Sequence, residues 1–121
     1  MVAYAHSHGI RVLQAAGCEG YTPNCSSWCC KLNDTAYRSQ LVSQYNQSMR
    51  TGTLDGWGWD VEETDPIYQP GVALFIAELK QAYPELFHAF YIGNLVGKGG
   101  WLPWQATPMR AIAPVVDLVI V

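Results

Sequence analysis

Asp60 and Glu62 stand two residues apart in the segment Asp55-Gly56-Trp57-Gly58-Trp59-Asp60-Val61-Glu62. On a β-strand, residues i and i+2 point to the same face. Both carboxyls therefore leave the end of one strand on the same side, while Trp57, Trp59 and Val61 point the other way. Two carboxyls this close do not ionise independently, and one tends to hold its proton near neutral pH. A protonated carboxyl beside an ionised one is the equipment for cleaving a glycosidic bond. The bland alternative is a solvated acidic loop or a Ca²⁺ site, since Glu63 and Asp65 follow closely. A calcium loop wants oxygen ligands at regular alternate positions closing on a bidentate acid. Here Trp59 and Val61 interleave as they would on a strand.

Such a pair needs a scaffold, and the rest of the chain supplies alternating elements. Residues 2–8 read as the end of a helix, with Gly9 as its stop. Residues 10–16 form a short apolar run, expected to be a strand. A loop rich in Gly, Pro, Ser and Cys follows, over residues 17–33. Asn33 or Asp34 can cap a helix starting near Thr35, whose stripe is Ala36, Leu41, Val42, Tyr45 and Met49. Gly52 ends it, and the acidic strand runs from Leu54 to Val61. Pro70 sits near the start of a second helix, Val72 to Ala82, with Val72, Phe75, Ile76 and Leu79 as its apolar stripe. Pro84 stops that helix. A strand over residues 88–92, a long loop over 97–108, a short helix or turn over 109–114 and a strand over 117–121 complete the chain. This order predicts an α/β fold with a parallel sheet.

The acidic segment resembles the signature of family 18 glycoside hydrolases, the chitinases and their relatives. That pattern reads Asp-x-x-Asp-x-Asp-x-Glu on the fourth strand of a TIM barrel. Asp55, Asp60 and Glu62 match it, and Gly58 stands where many members have an acid. The chitobiase branch also lacks an acid there. A second stretch, Tyr4-Ala5-His6-Ser7-His8-Gly9-Ile10-Arg11-Val12, is similar to the segment leading into the third strand of chitobiase-like proteins. The similarity spans residues 2–65. It implies a partial TIM (β/α)8 barrel, about four parallel strands alternating with helices, corresponding to strands three to six. It also implies hydrolysis of β-1,4-linked N-acetylglucosamine oligomers or chitin, with retention and without a cofactor. Glu62 would be the general acid and later the base. Asp60 would orient the acetamido nitrogen and stabilise its developing charge, and Asp55 would support the other two. The runner-up functions are a catalytically inactive chitin-binding or lectin-like relative, which commonly loses the acid that Glu62 retains, and a truncated product without activity.

At 121 residues the chain has the size of one small domain, about half of a typical barrel. It is therefore expected to be one partial catalytic domain over residues 1–121, marginal alone, with the remainder of the barrel as a partner. Only 14% of its residues are charged, against roughly a quarter in ordinary domains, which suits a sheet covered on both faces. A net charge of −3 with scattered Lys and Arg offers no footprint for nucleic acid or an anionic membrane. No apolar run reaches the length of a membrane span, and the N-terminus lacks the features of a signal peptide. Cys18, Cys25, Cys29 and Cys30 cluster in the first loop. Disulfides fit better than zinc, because paired Cys-x-x-Cys knuckles are absent, but the spacing does not choose among the connectivities. With sequons at Asn24, Asn33 and Asn46, the cluster points to a secreted or lysosomal glycoprotein.

Other residues invite functional readings. Trp101 and Trp104 suit sugar stacking as well as they suit lids over a core. Asn94, near the end of the 88–92 strand, is placed for a hydrogen bond to substrate. Trp57 and Trp59 are expected in the core against the helices. His6 and His8, two apart on a helix, point to different sides and fit helix capping better than metal binding.

Overall fold

The computed structural model describes residues 1–18, 27–49, 54–61, 69–91 and 112–120; the side chains of residues 46–49, 61 and 69 are outside that description. Helices α1 (Val2–Ser7), α2 (Thr35–Met49) and α3 (Gln69–Ala82) alternate with strands β1 (Leu13–Cys18), β2 (Gly56–Val61), β3 (Phe87–Tyr91) and β4 (Leu118–Ile120). Short 3₁₀ segments run over Trp28–Lys31 and Ala113–Val115. The four strands lie in the order β1-β2-β3-β4, and every pair is parallel. The acidic strand β2 is interior to the sheet. This is the parallel α/β arrangement that the alternation predicts, and the partial TIM-barrel-like one that the resemblance implies.

The helix ends follow their residues. After α1 the Ile10 amide donates to the Ala5 carbonyl and the Gly9 amide to the His6 carbonyl, each at 3.0 Å. That pairing needs a residue in the left-handed region, and Gly9 sits there with φ 70°. His8 adds a contact from its Nδ1 to the Tyr4 carbonyl at 2.9 Å, so it does lie at the helix end. At the start of α2 the Asp34 carboxylate accepts from the amides of Ala36 (2.8 Å) and Tyr37 (3.2 Å). Pro70 falls in the first turn of α3, where a missing N–H costs nothing. This helix starts three residues before the Val72 expected for it.

β1 departs further from expectation. It spans Leu13–Cys18 rather than residues 10–16. Ile10 is consumed by the helix stop, and the Val12 amide bonds the Asp55 side chain instead of a strand. Gly17 and Cys18, assigned to the loop from composition, stay in the ladder because they pair with Asp60 and Val61.

The core lies between one face of the sheet and the helices. Cys18, Trp57, Trp59 and Phe90 meet Val72, Phe75, Ile76 and Leu79 of α3, with Leu41, Val42 and Tyr45 of α2 packed against them. The α3 stripe is buried as its spacing predicts. The α2 stripe holds in part: Leu41, Val42 and Tyr45 pack against the core, but Ala36 is exposed, whereas Arg38 is buried. Arg38 donates to Glu78 Oε1 at 2.9 Å, to the Leu32 carbonyl at 2.7 Å and to Thr35 Oγ1 at 3.2 Å. A buried guanidinium is tolerated because its donors are satisfied.

Trp57 and Trp59 are core residues, as expected. Their rings stack 5.5 Å apart, Tyr45 meets Trp57 edge-on at 4.4 Å, and Trp59 also stacks on His88 at 5.9 Å. A disulfide joins Cys18, at the end of β1, to Cys29 in the first 3₁₀ segment, with Cα atoms 6.2 Å apart. Cys30 is disulfide-bonded as well. The Cys18–Cys29 link closes a loop next to the C-terminal end of the sheet. By chain entropy such a crosslink contributes roughly 3 kcal/mol.

Candidate active site

β2 has two faces with different duties. Trp57 and Trp59 go to the helices. Gly56, Gly58 and Asp60 take the opposite face, because side chains alternate along a strand. Asp60 stands at the C-terminal end and is exposed. In register it has Gly17 of β1 on one side and Tyr91 of β3 on the other. Gly17 presents no side chain to it. The C-terminal end of the strands is where barrels of this kind carry their chemistry. Glu62, the next residue on that face by alternation, lies outside the described residues. So do Asn94, Trp101 and Trp104.

Asp55 sits at the other end of the same strand, about 17 Å from Asp60 at the rise of an extended chain. Its Oδ2 accepts from the Val12 amide at 2.6 Å and from His6 Nε2 at 2.9 Å. Its backbone bridges as well: the Asp55 amide donates to the Val12 carbonyl and the Phe87 amide to the Asp55 carbonyl, both at 2.8 Å. The Val12 hydrogen bond, and then that of His6, hold the Asp55 carboxyl below the usual carboxylate range. The structure thus separates Asp55 from Asp60 and gives it anchoring contacts between α1, the entry to β1, and β2. It also explains His6, whose partner is Asp55. Among the described residues no group of three or more His, Cys, Asp or Glu is placed to hold a metal ion.

Tyr91 is the residue that sequence reasoning missed. A Cβ built on Gly58 would meet Tyr91 Cε2 at 2.9 Å, its hydroxyl oxygen at 3.5 Å and its Cζ at 3.7 Å. The phenol therefore lies over Gly58, on the face that carries Asp60. The sequence signals available were a glycine at an acid's place in a strand and an aromatic residue at the end of the next strand. Nothing in their spacing joined them.

A polar network also backs β3. The indole N–H of Trp59 donates to His88 Nδ1 at 3.0 Å. Indole is a donor only, so His88 carries its proton on Nε2, which is buried and finds no hydrogen-bond partner among the described residues. Burial, then the Lys80 charge, push His88 down to about 4, with Asp117 opposing. Lys80 donates to Asp117 at 2.8 Å and to the Leu86 carbonyl at 2.9 Å, and Asp117 accepts from the His88 amide at 2.8 Å. Partial burial pushes the Asp117 carboxyl up, but these partners outweigh it and leave it lowered.

The parallel, helix-backed sheet recurs in solved structures. A class V chitinase from Pseudomonas fluorescens superposes with TM-score 0.70 at 18% identity over 98% of this chain and 36% of its own. The fold is chitinase-like. Catalytic domain 2 of the Group II chitinase of Ostrinia furnacalis gives TM-score 0.68 at 18% identity, over 98% of this chain and 32% of its own. YKL-39, solved in the presence of chitooligosaccharides, gives TM-score 0.69 at 13% identity, over 98% and 34%. The chain thus spans about a third of the length of each of these chitinase-like structures. No family model and no curated protein matches the sequence. Among the described residues no helix is long and apolar enough to cross a membrane.

Proposed function

We propose that the chain carries the acid-bearing strand of a glycoside hydrolase of family 18, in its chitobiase-like branch. The reaction is cleavage of β-1,4-linked N-acetylglucosamine oligomers with retention. The observation that supports this best is Asp60, exposed at the C-terminal end of interior strand β2, with Glu62 two residues on. In this scheme the substrate supplies the nucleophile. The carbonyl oxygen of the 2-acetamido group attacks the anomeric carbon and forms an oxazolinium. Glu62 protonates the leaving oxygen and then takes a proton from the attacking water. Asp60 orients the acetamido N–H and balances the oxazolinium charge. Asp55 acts only through the strand, by fixing its far end. Trp101, Trp104 and Asn94 are the proposed sugar contacts. The proposal concerns the protein in which the barrel is complete, and the isolated 121-residue chain is expected to have little activity. The Cys18–Cys29 disulfide supports an oxidising compartment, secreted or lysosomal, where the sequons would be glycosylated.

A second reading, binding of chitooligosaccharides without cleavage, is favoured by Gly58, which removes one acid of the family pattern. One assay separates the two: release of a fluorophore from an N-acetylglucosamine oligomer by the full natural protein and its Glu62→Gln variant. The expected loss is at least 10²–10⁴-fold, the usual worth of general acid–base action. Equal rates exclude Glu62 as the acid, and no release by either, with binding retained, favours the second reading.

A further inference from the structure

Position 58 and Tyr91 share one space. An ideal Cβ at Gly58 would stand 2.9 Å from Tyr91 Cε2, closer than real Cβ contacts allow, and 3.5 Å from its hydroxyl. Even a methyl at 58 therefore makes the phenol shift, and a longer side chain on that face competes with the ring for the same space. The next residue on that face is Asp60, two positions along β2, and Asp60 is the register partner of Tyr91 itself. Neighbouring strands lie about 4.8 Å apart, so the phenol and the carboxylate belong to adjacent strands on one face of the sheet. Gly58 is buried beneath the ring, yet Tyr91 is 39% exposed. An apolar filler would suffice to cover a glycine. A phenol adds a donor and acceptor at the accessible edge.

We propose that Tyr91 is a positioning residue of the site. It sets a neutral hydroxyl in the space that an acid at position 58 would occupy, and there steadies the 2-acetamido group that Asp60 receives. This rests on the glycosidase reading and deepens it. A hydroxyl in place of a carboxylate puts no like charge beside Asp60, so Asp60 alone faces the oxazolinium. A hydroxyl can donate to a carboxylate or to an acetamido carbonyl, as an acid at position 58 can while it shares a proton with Asp60.

The test uses the full natural protein and a fluorogenic N-acetylglucosamine oligomer. Tyr91→Phe keeps the ring over Gly58 and removes only the hydroxyl. It should lower kcat about tenfold, the scale of one hydrogen bond to a charged group, with KM within about twofold and Tm unchanged. Tyr91→Ala should lose at least as much, and adding Gly58→Asp to Tyr91→Ala should recover most of that loss, because the acid then enters the vacated space. A ring serving only as packing would show the reverse: a fall in Tm for Tyr91→Ala, no change in kcat for Tyr91→Phe and no rescue, and this overturns the proposal. Glu62→Gln is run in parallel. If it is inactive while Tyr91→Phe retains full kcat, the Tyr91 assignment alone fails. If Glu62→Gln equals the unmodified protein, the glycosidase reading fails and the Tyr91 assignment with it.

Discussion

The two ends of β2 carry the same functional group to opposite purposes. At the N-terminal end Asp55 is engaged by the fold: its Oδ2 accepts from His6 and from the Val12 amide, and its backbone ties β1 to β3. At the C-terminal end Asp60 is exposed, flanked by a glycine and by a phenol lying over another glycine. A carboxylate held by the protein's own donors stabilises the fold. A carboxylate left open at the C-terminal end of the strands can receive a substrate. Both match the same short acidic signature, so a motif match does not by itself say which residues touch the reacting atoms.

The contrast can be broken by exchanging which end is disturbed. The largest effect is expected at the open end. Asp60→Asn should reduce turnover by about 10²-fold, because the developing positive charge loses its counter-charge. Its Tm should not move, since an exposed site away from the core changes stability by only about 0.5 kcal/mol. A large fall in Tm with turnover retained would reverse the assignment of the two ends.

The next effect lies behind the site. Free histidine titrates near 6.5, and His88 is held down to about 4. Between those values the unfolded chain binds a proton that the folded chain does not, so stability falls as pH drops through that window. From pH 7 to pH 5 the loss should be on the order of 2 kcal/mol. Urea melts at the two pH values would show it. His88→Gln keeps an acceptor for the Trp59 N–H and should flatten the dependence; an unchanged slope would assign it to other groups.

The smallest effect on turnover belongs to the anchored end. Asp55→Ala leaves the Val12 amide and His6 without their partner. It should lower Tm while changing kcat by less than about tenfold, since β2 loses an anchor and the chemistry loses no group. A loss as large as that of Asp60→Asn would mean that Asp55 has a direct part in the reaction.

Much of this architecture was legible in the residues. The switch from helical spacing to short apolar runs marked the alternation, and Trp57 and Trp59 declared the helix-facing side of β2 by being large and apolar at period two. The α3 stripe, the Gly9 stop and the Asp34 cap are local, and local steric and hydrogen-bonding rules suffice for them. The elements that drifted were those settled by a distant partner. β1 begins and ends where β2 offers register partners, not where its apolar run does. Arg38 enters the core because Glu78 and the Leu32 carbonyl await it there, and a propensity scale has no access to either.

The same division holds at the candidate site. That Asp60 ends a strand, that it lies on the face opposite the tryptophans, and that the strand sits in a parallel sheet all follow from period two and from alternation along the chain. That Asp55 is spent on His6 and Val12, and that Tyr91 lies over Gly58, depends on contacts 49, 43 and 33 residues apart in the chain (55 − 6, 55 − 12 and 91 − 58). A side chain's chemistry is written in its type. Whether that chemistry is satisfied or left open depends on which neighbours the folded chain brings to it.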